Sequence, residues 1–350
     1  MTSTALMAGD NFDKGWVYIL HFKIPGVKSN YFKIGLTKNP VSSRIAGLQT
    51  GNPFQIVQKH KFDSECMGLL EGHLHKIFAR KRFRKEWFTF TAGALKKVIK
   101  EGTDFSAEYN PHAIKLRKLD KQTSIHKEMK PTKNHLKLHK EAIELTKQIQ
   151  KFDLKREIAG EHLRRLTGNC IGISGISGFT GVSTPAPSLK TKDLKKLDLK
   201  EWKKWQKTGV FKKDEGILGC GTKAKNHATL DTEHKALKLR AKSLFDVGTY
   251  NPNVKSRSKQ SNTYHAEYID CVEKLGTLKA ERDMIIIQFK LDCKRRKGIE
   301  GVFKYIRSDD NSEFDKKSFN EQSRKAKNSK WFYSNDPSPS FSVEKAIGYL

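Results

Sequence analysis

Four side chains in the first quarter of this 350-residue chain could do chemistry together: Tyr18, Lys33, Arg44 and Glu71. A phenol, an ammonium, a guanidinium and a carboxylate are groups that can support hydrolysis of a phosphodiester. That reaction needs a polarising cation, a clamp for the phosphate charge, and a group that orients or deprotonates water. Taken singly, each residue has an ordinary reading. A strand tyrosine usually packs half-buried, a helical glutamate is usually a solvated charge, and a lone arginine is a surface cation. Gly35, two positions after Lys33, permits close backbone approach or a positive φ in either case.

These residues need elements to position them. The β-branched and aromatic run Trp16–Phe22 and the run Tyr31–Leu36 predict a hairpin with a longer loop around Pro25-Gly26. Asn39-Pro40 predicts a helix start, with Asn39 as N-cap and Pro40 in the first helical position; that helix carries Arg44 and ends near Gly51-Asn52-Pro53. Phe54–Val57 opens a third strand running towards Phe62. Asp63-Ser64 then predicts the cap of a longer helix with Cys66, Leu69, Leu70, Leu74, Ile77 and Phe78 on its apolar stripe. At about 100° per residue, Glu71 falls at the border of that stripe, where a carboxylate can point along the surface into a cleft. Lys85–Phe90 predicts a short closing strand, with Trp87 and Phe88 in the core.

Over about residues 15–95 this order of elements resembles the GIY-YIG nuclease superfamily, in its phage-type branch whose second motif reads KIG. The matching residues are Val17-Tyr18-Ile19, Lys33-Ile34-Gly35, Arg44, Glu71-x-x-Leu74-His75 and Glu86-Trp87-Phe88. The resemblance implies that Glu71 holds one Mg²⁺ (or Mn²⁺), an ion suited to a single carboxylate plus waters and phosphate. It implies that Arg44 forks onto the scissile phosphate and that Tyr18 positions or deprotonates the attacking water. His75 is either a neighbour of the metal site or a helix-surface residue. Lys33 stands where most of the family has its second tyrosine. It could serve there as a phosphate clamp, or as a base if burial lowers its pKa. The family's late asparagine has no match after Phe88, which leaves the rim of the site undefined.

The formal net charge is +30, from 68 Lys+Arg against 38 Asp+Glu. Such an excess repels itself unless the partner is a polyanion, and DNA is the expected one. A membrane surface fits less well, because the basic stretches lack a broad apolar face. Five scattered cysteines with no paired spacing exclude a disulfide scaffold or zinc ribbon. No apolar run reaches about 18 residues and no signal peptide is visible, so a soluble protein in the cytoplasm of a host cell carrying a phage or mobile element is expected. Six cations and no acid lie between Lys76 and Lys85; Lys76, Arg80, Arg82, Arg84 and Lys85 are expected to track a nucleic-acid backbone.

The rest of the chain contains a repeat. At an offset of 126 residues, 139–181 aligns with 265–307 without a gap, matching His139 with His265, Arg156 with Arg282, and Gly172-Ile173-x-Gly175 with Gly298-Ile299-x-Gly301. Upstream of each glycine cluster, apolar residues at alternating spacings of 4 and 3 predict a coiled-coil-like seam. The first copy has Leu145, Ile149, Phe152, Ala159, Leu163 and Leu166; the second has Cys271, Leu275, Leu278, Ile285 and Phe289. The seam could pair the repeats within one chain or between chains as a homo-oligomer. Arg156 and Arg282 inside it either snorkel or contact phosphate. Gly276 could break the second helix into a hairpin.

Residues 190–213 hold ten lysines with Leu194, Leu197, Trp202 and Trp205 on one predicted helical face. That pattern either docks on the repeats or, through Lys203 and Lys204 with the tryptophans, binds nucleic acid. Lys294, Arg295 and Arg296 form a further cationic cluster. The repeat modules are also similar to the helical accessory segment of phage YqaJ-like exonucleases, without that family's catalytic carboxylates.

The expected architecture is therefore α+β, with a small domain around a central antiparallel sheet at 15–100. Helical modules follow at 106–188 and 259–350, joined by a basic linker at 189–258. The expected function is a metal-dependent endonuclease whose helical modules bind DNA. The alternative is a non-catalytic DNA-binding protein that retains the fold.

Overall fold

A computed structural model describes residues 13–23, 26, 31–50, 52–84, 86–183, 188–189, 194–196, 198–242, 251–316, 318–319, 321, 332–333 and 338–343. The fold is α+β. Its N-terminal part is a five-stranded sheet in the order β3-β1-β2-β5-β4, built from β1 (Gly15–Lys23), β2 (Tyr31–Thr37), β3 (Gln55–Ser64), β4 (Arg82–Arg84) and β5 (Trp87–Thr89). Every pairing is antiparallel. Alternation along the strands divides its two faces. One carries Val17, Ile19, Phe32, Ile34 and Phe88 into a core shared with Leu69, Leu70 and Leu74 of α2 (Met67–Ile77) and Val98 and Phe105 of α3 (Ala92–Leu119). The other carries Tyr18, Leu20 and Ile56 under α1 (Val41–Gln49), which contributes Val41, Ile45 and Leu48.

Three boundaries differ from the sequence reading. The helix α1 starts after Pro40, not at it. Pro40 has ψ 137°, so it is extended and only its carbonyl enters the helix, accepting from Ser43 N at 3.1 Å and Arg44 N at 3.3 Å. Asp63 and Ser64 do not cap α2; both complete β3, paired with Trp16 and Gly15. The cap position is Cys66, whose N–H donates to Ser64 Oγ at 3.1 Å. The third difference is α3, which runs unbroken from Ala92 through residue 100, where the sequence reading ended the small domain. Its apolar residues Val98, Phe105, Ala113, Leu116 and Leu119 belong to the same core as the sheet. Gly102 lets this helix lie on β3: a Cβ there would stand 2.5 Å from the Phe62 ring.

The chain divides into two compact units, 1–152 with 215–222 and 272–306, and 153–214 with 223–271 and 307–350. Both draw on both repeats. The long helices α4 (Lys133–Thr167) and Lys259–Cys293 are displaced by 126 residues at each end. Their starts match too: Thr132 Oγ1 accepts from His135 N at 3.2 Å, and Ser258 Oγ from Ser261 N at 3.0 Å. Each helix is followed by a tight hairpin in the same register, Gly172 opposite Gly178 in one and Gly298 opposite Lys304 in the other. Gly175 and Gly301 turn these hairpins at φ 58° and 68°, a region other residues enter at a cost.

The strands leading into the helices are exchanged between repeats. In the first unit Met129, ahead of α4, bridges Ile299, which follows the second long helix. In the second unit Lys255, ahead of that second helix, pairs with Ile173, which follows α4. Those two pairs are again related by the offset of 126.

The seam residues pack within the chain: Leu145 shares a core with Leu278, Ile285 and Phe289 in the first unit, and Leu163 and Leu166 pack with Tyr264 in the second. Gly276 does not break its helix, which runs straight through it. Arg156 pairs with Asp153 at 2.8 Å, and Arg282 with Asp283 at 2.8 Å, so both are committed to carboxylates of the chain. Among the described residues of the predicted helix over 190–213, 194–196 and Leu199–Lys204 are helical, and a strand, Gln206–Ile217, follows. Trp202 stacks on Phe314 with centroids 4.4 Å apart, and both tryptophans join Leu194 and Phe319 in a small core. The docking alternative for this face therefore describes the structure; Leu197 lies outside the described residues.

Candidate active site

Four elements converge on one end of the sheet. Tyr18 from β1 sits opposite Gly35 of β2, and Lys33 of β2 sits opposite Trp87 of β5. Arg44 lies in the first turn of α1 and Glu71 in the middle of α2. Tyr18 is almost fully buried, 1% exposed, with its hydroxyl towards α1. Arg44 Nε donates to that hydroxyl at 3.4 Å, the long end of hydrogen-bond range. This bond holds the guanidinium above its ordinary pKa against the opposing effect of burial, and the charge of Glu86 adds to it.

Gly35 explains why the phenol can lie there. A Cβ at this position would stand 2.6 Å from Tyr18 Oη and 2.8 Å from Cζ. The glycine of the KIG motif is therefore a steric requirement of the tyrosine across the strand pair.

Lys33 is 8% exposed and forms an ion pair with Glu86. Its Nζ also lies 5.7 Å from the centroid of Trp87, a cation–π contact. Burial pushes the Glu86 carboxyl up, but the ammonium of Lys33 and its hydrogen bond outweigh that and hold it below the usual carboxylate range. Glu71 moves the other way. Burial, reinforced by the charge of Glu86, pushes it up to about 8, opposed by Lys33 and Arg82. Two carboxylates with separated pKa values therefore share one site.

His75, one turn after Glu71 on α2, donates from Nε2 to the Ile34 carbonyl at 3.2 Å. Burial, with the charge of Arg82, pushes it down to about 4, so it is neutral at physiological pH. It is thereby tied to the KIG strand and is not a free surface residue. Arg82 is held within the chain: it pairs with Glu273 at 3.0 Å, donates to the His75 carbonyl at 3.2 Å, and lies over the Phe88 ring.

The cluster thus joins Tyr18, Lys33, Arg44 and Glu71. It adds two residues whose part in the site the sequence reading missed. Glu86 was visible only as a motif letter, and the signal that could have found it is its sequence position beside Trp87, across from Lys33. Arg82 was visible only as one more cation.

The remaining candidates are spread out. Lys76 pairs with Glu281 at 3.2 Å, and Arg80 is exposed. The Arg84 side chain and Lys85 lie outside the described residues. Lys203 and Lys204 are exposed in the second unit, with Lys204 over the Trp205 ring. Lys294 is exposed with φ 51°, at the position that Gly168 occupies in the other repeat. Arg295 Nε donates to the Thr123 carbonyl at 3.4 Å, and Arg296 is half-buried.

An antiparallel sheet covered by α2 and α3 on one face and by α1 on the other, with a polar cluster at one end, defines an α+β domain with a chemically equipped site. Residues 15–102 match the family model described as the T5orf172 domain, a nuclease-associated domain. In comparisons with curated proteins and with solved structures, nothing matched. No helix among the described residues is long and apolar enough to cross a membrane.

Proposed function

We propose that residues 15–102 are the catalytic domain of a GIY-YIG-type, metal-dependent endonuclease, and that the basic repeats hold DNA for it. The observation that carries this reading is the convergence of Tyr18, Lys33, Arg44 and Glu71 around Glu86 from four separate elements.

The donor set supports a hard divalent cation. Glu71 is pushed up to about 8 by burial and by a neighbouring carboxylate, so Lys33 and Arg82 compensate its ionised form only in part. Mg²⁺ or Mn²⁺ held by Glu71, with Glu86 beside it, would supply the rest. Among the described residues no three His, Cys, Asp or Glu side chains gather, which suits an ion that keeps most of its waters. Such a cation, when bound, supplies charge neutralisation at the phosphate.

The chain's own residues do the rest. Arg44 presents a guanidinium for bidentate contact with the scissile phosphate and, through Nε, holds the Tyr18 hydroxyl. Tyr18 orients the attacking water through its hydroxyl, and as the phenolate, held by Arg44, it takes that water's proton to become the phenol. Lys33, ion-paired with Glu86, acts as a cation and not as a base, bearing on the developing negative charge.

A plasmid-nicking assay with Mg²⁺ against EDTA tests the reading. Arg44→Ala and Glu71→Gln are expected to abolish nicking while DNA binding survives. Retained nicking in both variants would overturn the assignment.

A further inference from the structure

The edge strand β4 is irregular where it meets β5. Arg82 pairs with Phe88 and Arg84 with Trp87, so three residues of β4 oppose two of β5. The extra residue is Phe83. Such a bulge leaves one residue out of the ladder and turns its side chain away from the regular face. Phe83 is accordingly 56% exposed, an unusual place for a phenylalanine in a domain with a full core. Its ring lies 4.8 Å from that of Tyr31.

Tyr31 is two residues from Lys33 on β2 and four from Gly35, so all three share one sheet face. The aromatic pair therefore stands on the same face as the Lys33–Glu86 cluster, with Trp87 opposite Lys33 on the neighbouring strand. Arg80 and Lys81, both exposed, immediately precede β4.

We propose that Phe83 and Tyr31 form a stacking site for a nucleobase of the DNA strand whose phosphate enters the candidate active site. The proposal rests on the endonuclease reading for which phosphate lies next door, and on the local chemistry for the site itself. An exposed ring (Phe83) packed against a half-buried one (Tyr31), on and beside an edge strand that a run of cations precedes, is the combination that binds single-stranded nucleic acid: rings take the base faces and cations take the phosphates. An aromatic pair accepts a base only if that base is unstacked, so the site favours single-stranded, frayed or distorted DNA over a regular duplex.

The test measures binding of the full chain to a short single-stranded DNA oligonucleotide in EDTA, so that cleavage plays no part. Phe83→Ala is expected to weaken binding about tenfold, the low-to-middle range for loss of one base–aromatic stack, while Phe83→Trp keeps it. Phe83 is exposed, so the variant should fold; circular dichroism checks this, and Tyr31→Leu is the second variant. Replacing single nucleotides by abasic residues should reproduce the loss at one position in the wild type and cost Phe83→Ala nothing there. Equal affinity of Phe83→Ala and wild type, or a flat abasic profile, overturns the proposal. A chain that shows the stacking signature yet never nicks plasmid in Mg²⁺ upholds this site and overturns the endonuclease reading.

Discussion

The phenol of Tyr18 occupies the space that a side chain at Gly35 would fill. Any Cβ there would lie 2.6 Å from Tyr18 Oη, and the ring is too buried to swing clear. Gly35→Ala should therefore displace Tyr18 and break its bond with Arg44. A shift of about 1 Å at a reacting group costs on the order of 10²-fold in rate. Nicking assays beside thermal melts should show activity falling far more than stability.

The pH behaviour of Glu71 has a definite sign. Its folded-state pKa is raised to about 8, so without metal the folded protein resists losing this proton while the unfolded chain loses it near pH 4–5. Stability from this group is full below the unfolded value and is lost as pH rises towards 8. Glu71→Gln should therefore be more stabilising at pH 8.5 than at pH 5 in EDTA. Mg²⁺ should raise the melting temperature of the wild type above pH 7 and leave the glutamine variant unchanged. Calorimetry across pH checks both.

His75 works in the opposite direction. Its pKa is lowered to about 4, so the unfolded chain takes up a proton near pH 6.5 that the folded chain refuses. The cost appears as pH falls from 6.5 towards 4. His75→Gln should flatten that limb of the stability profile by about 1–2 kcal/mol, after allowance for partial solvent access. Urea titrations at pH 7 and pH 5 measure the difference.

Two arginines of the basic run should separate cleanly. Arg82 pairs with Glu273 and caps the His75 carbonyl, and Arg80 is exposed. Arg82→Ala should cost about 2–3 kcal/mol of stability by leaving Glu273 without its partner. Arg80→Ala should leave stability unchanged and reduce the salt slope of DNA binding by about one. Denaturation and salt-dependent binding, run on both variants, give the contrast.

The exchanged strands make each repeat dependent on the other. Met129 pairs with Ile299, and Lys255 with Ile173. A chain ended after residue 245 keeps the first repeat and loses both partner strands. It should be recovered as a self-associated dimer or as aggregate, never as a folded monomer, and light scattering after gel filtration decides it.

Much of the small domain was legible because its signals are local. Alternation over Trp16–Phe22 and Tyr31–Leu36, and the 3.6 spacing over Cys66–Phe78, reflect faces that burial imposes on short segments. The offset of 126 was equally legible, since a duplication leaves its glycines at fixed positions. Helix ends were less so: Asn39 and Ser64 have cap-like identities, yet the cap position of α1 falls to Pro40, expected inside the helix, and Ser64 closes β3.

By itself the sequence determined which groups are present: an ordered set of Tyr18, Lys33, Arg44 and Glu71, a net charge of +30, and two copies of one module. Only the tertiary structure decided which charges face one another. Lys33 belongs to Glu86 and Arg82 to Glu273, partners 53 and 191 residues distant. The exchange of strands between repeats was decided there too. Electrostatic pairing and strand partnership act through space, and a one-dimensional pattern records neither.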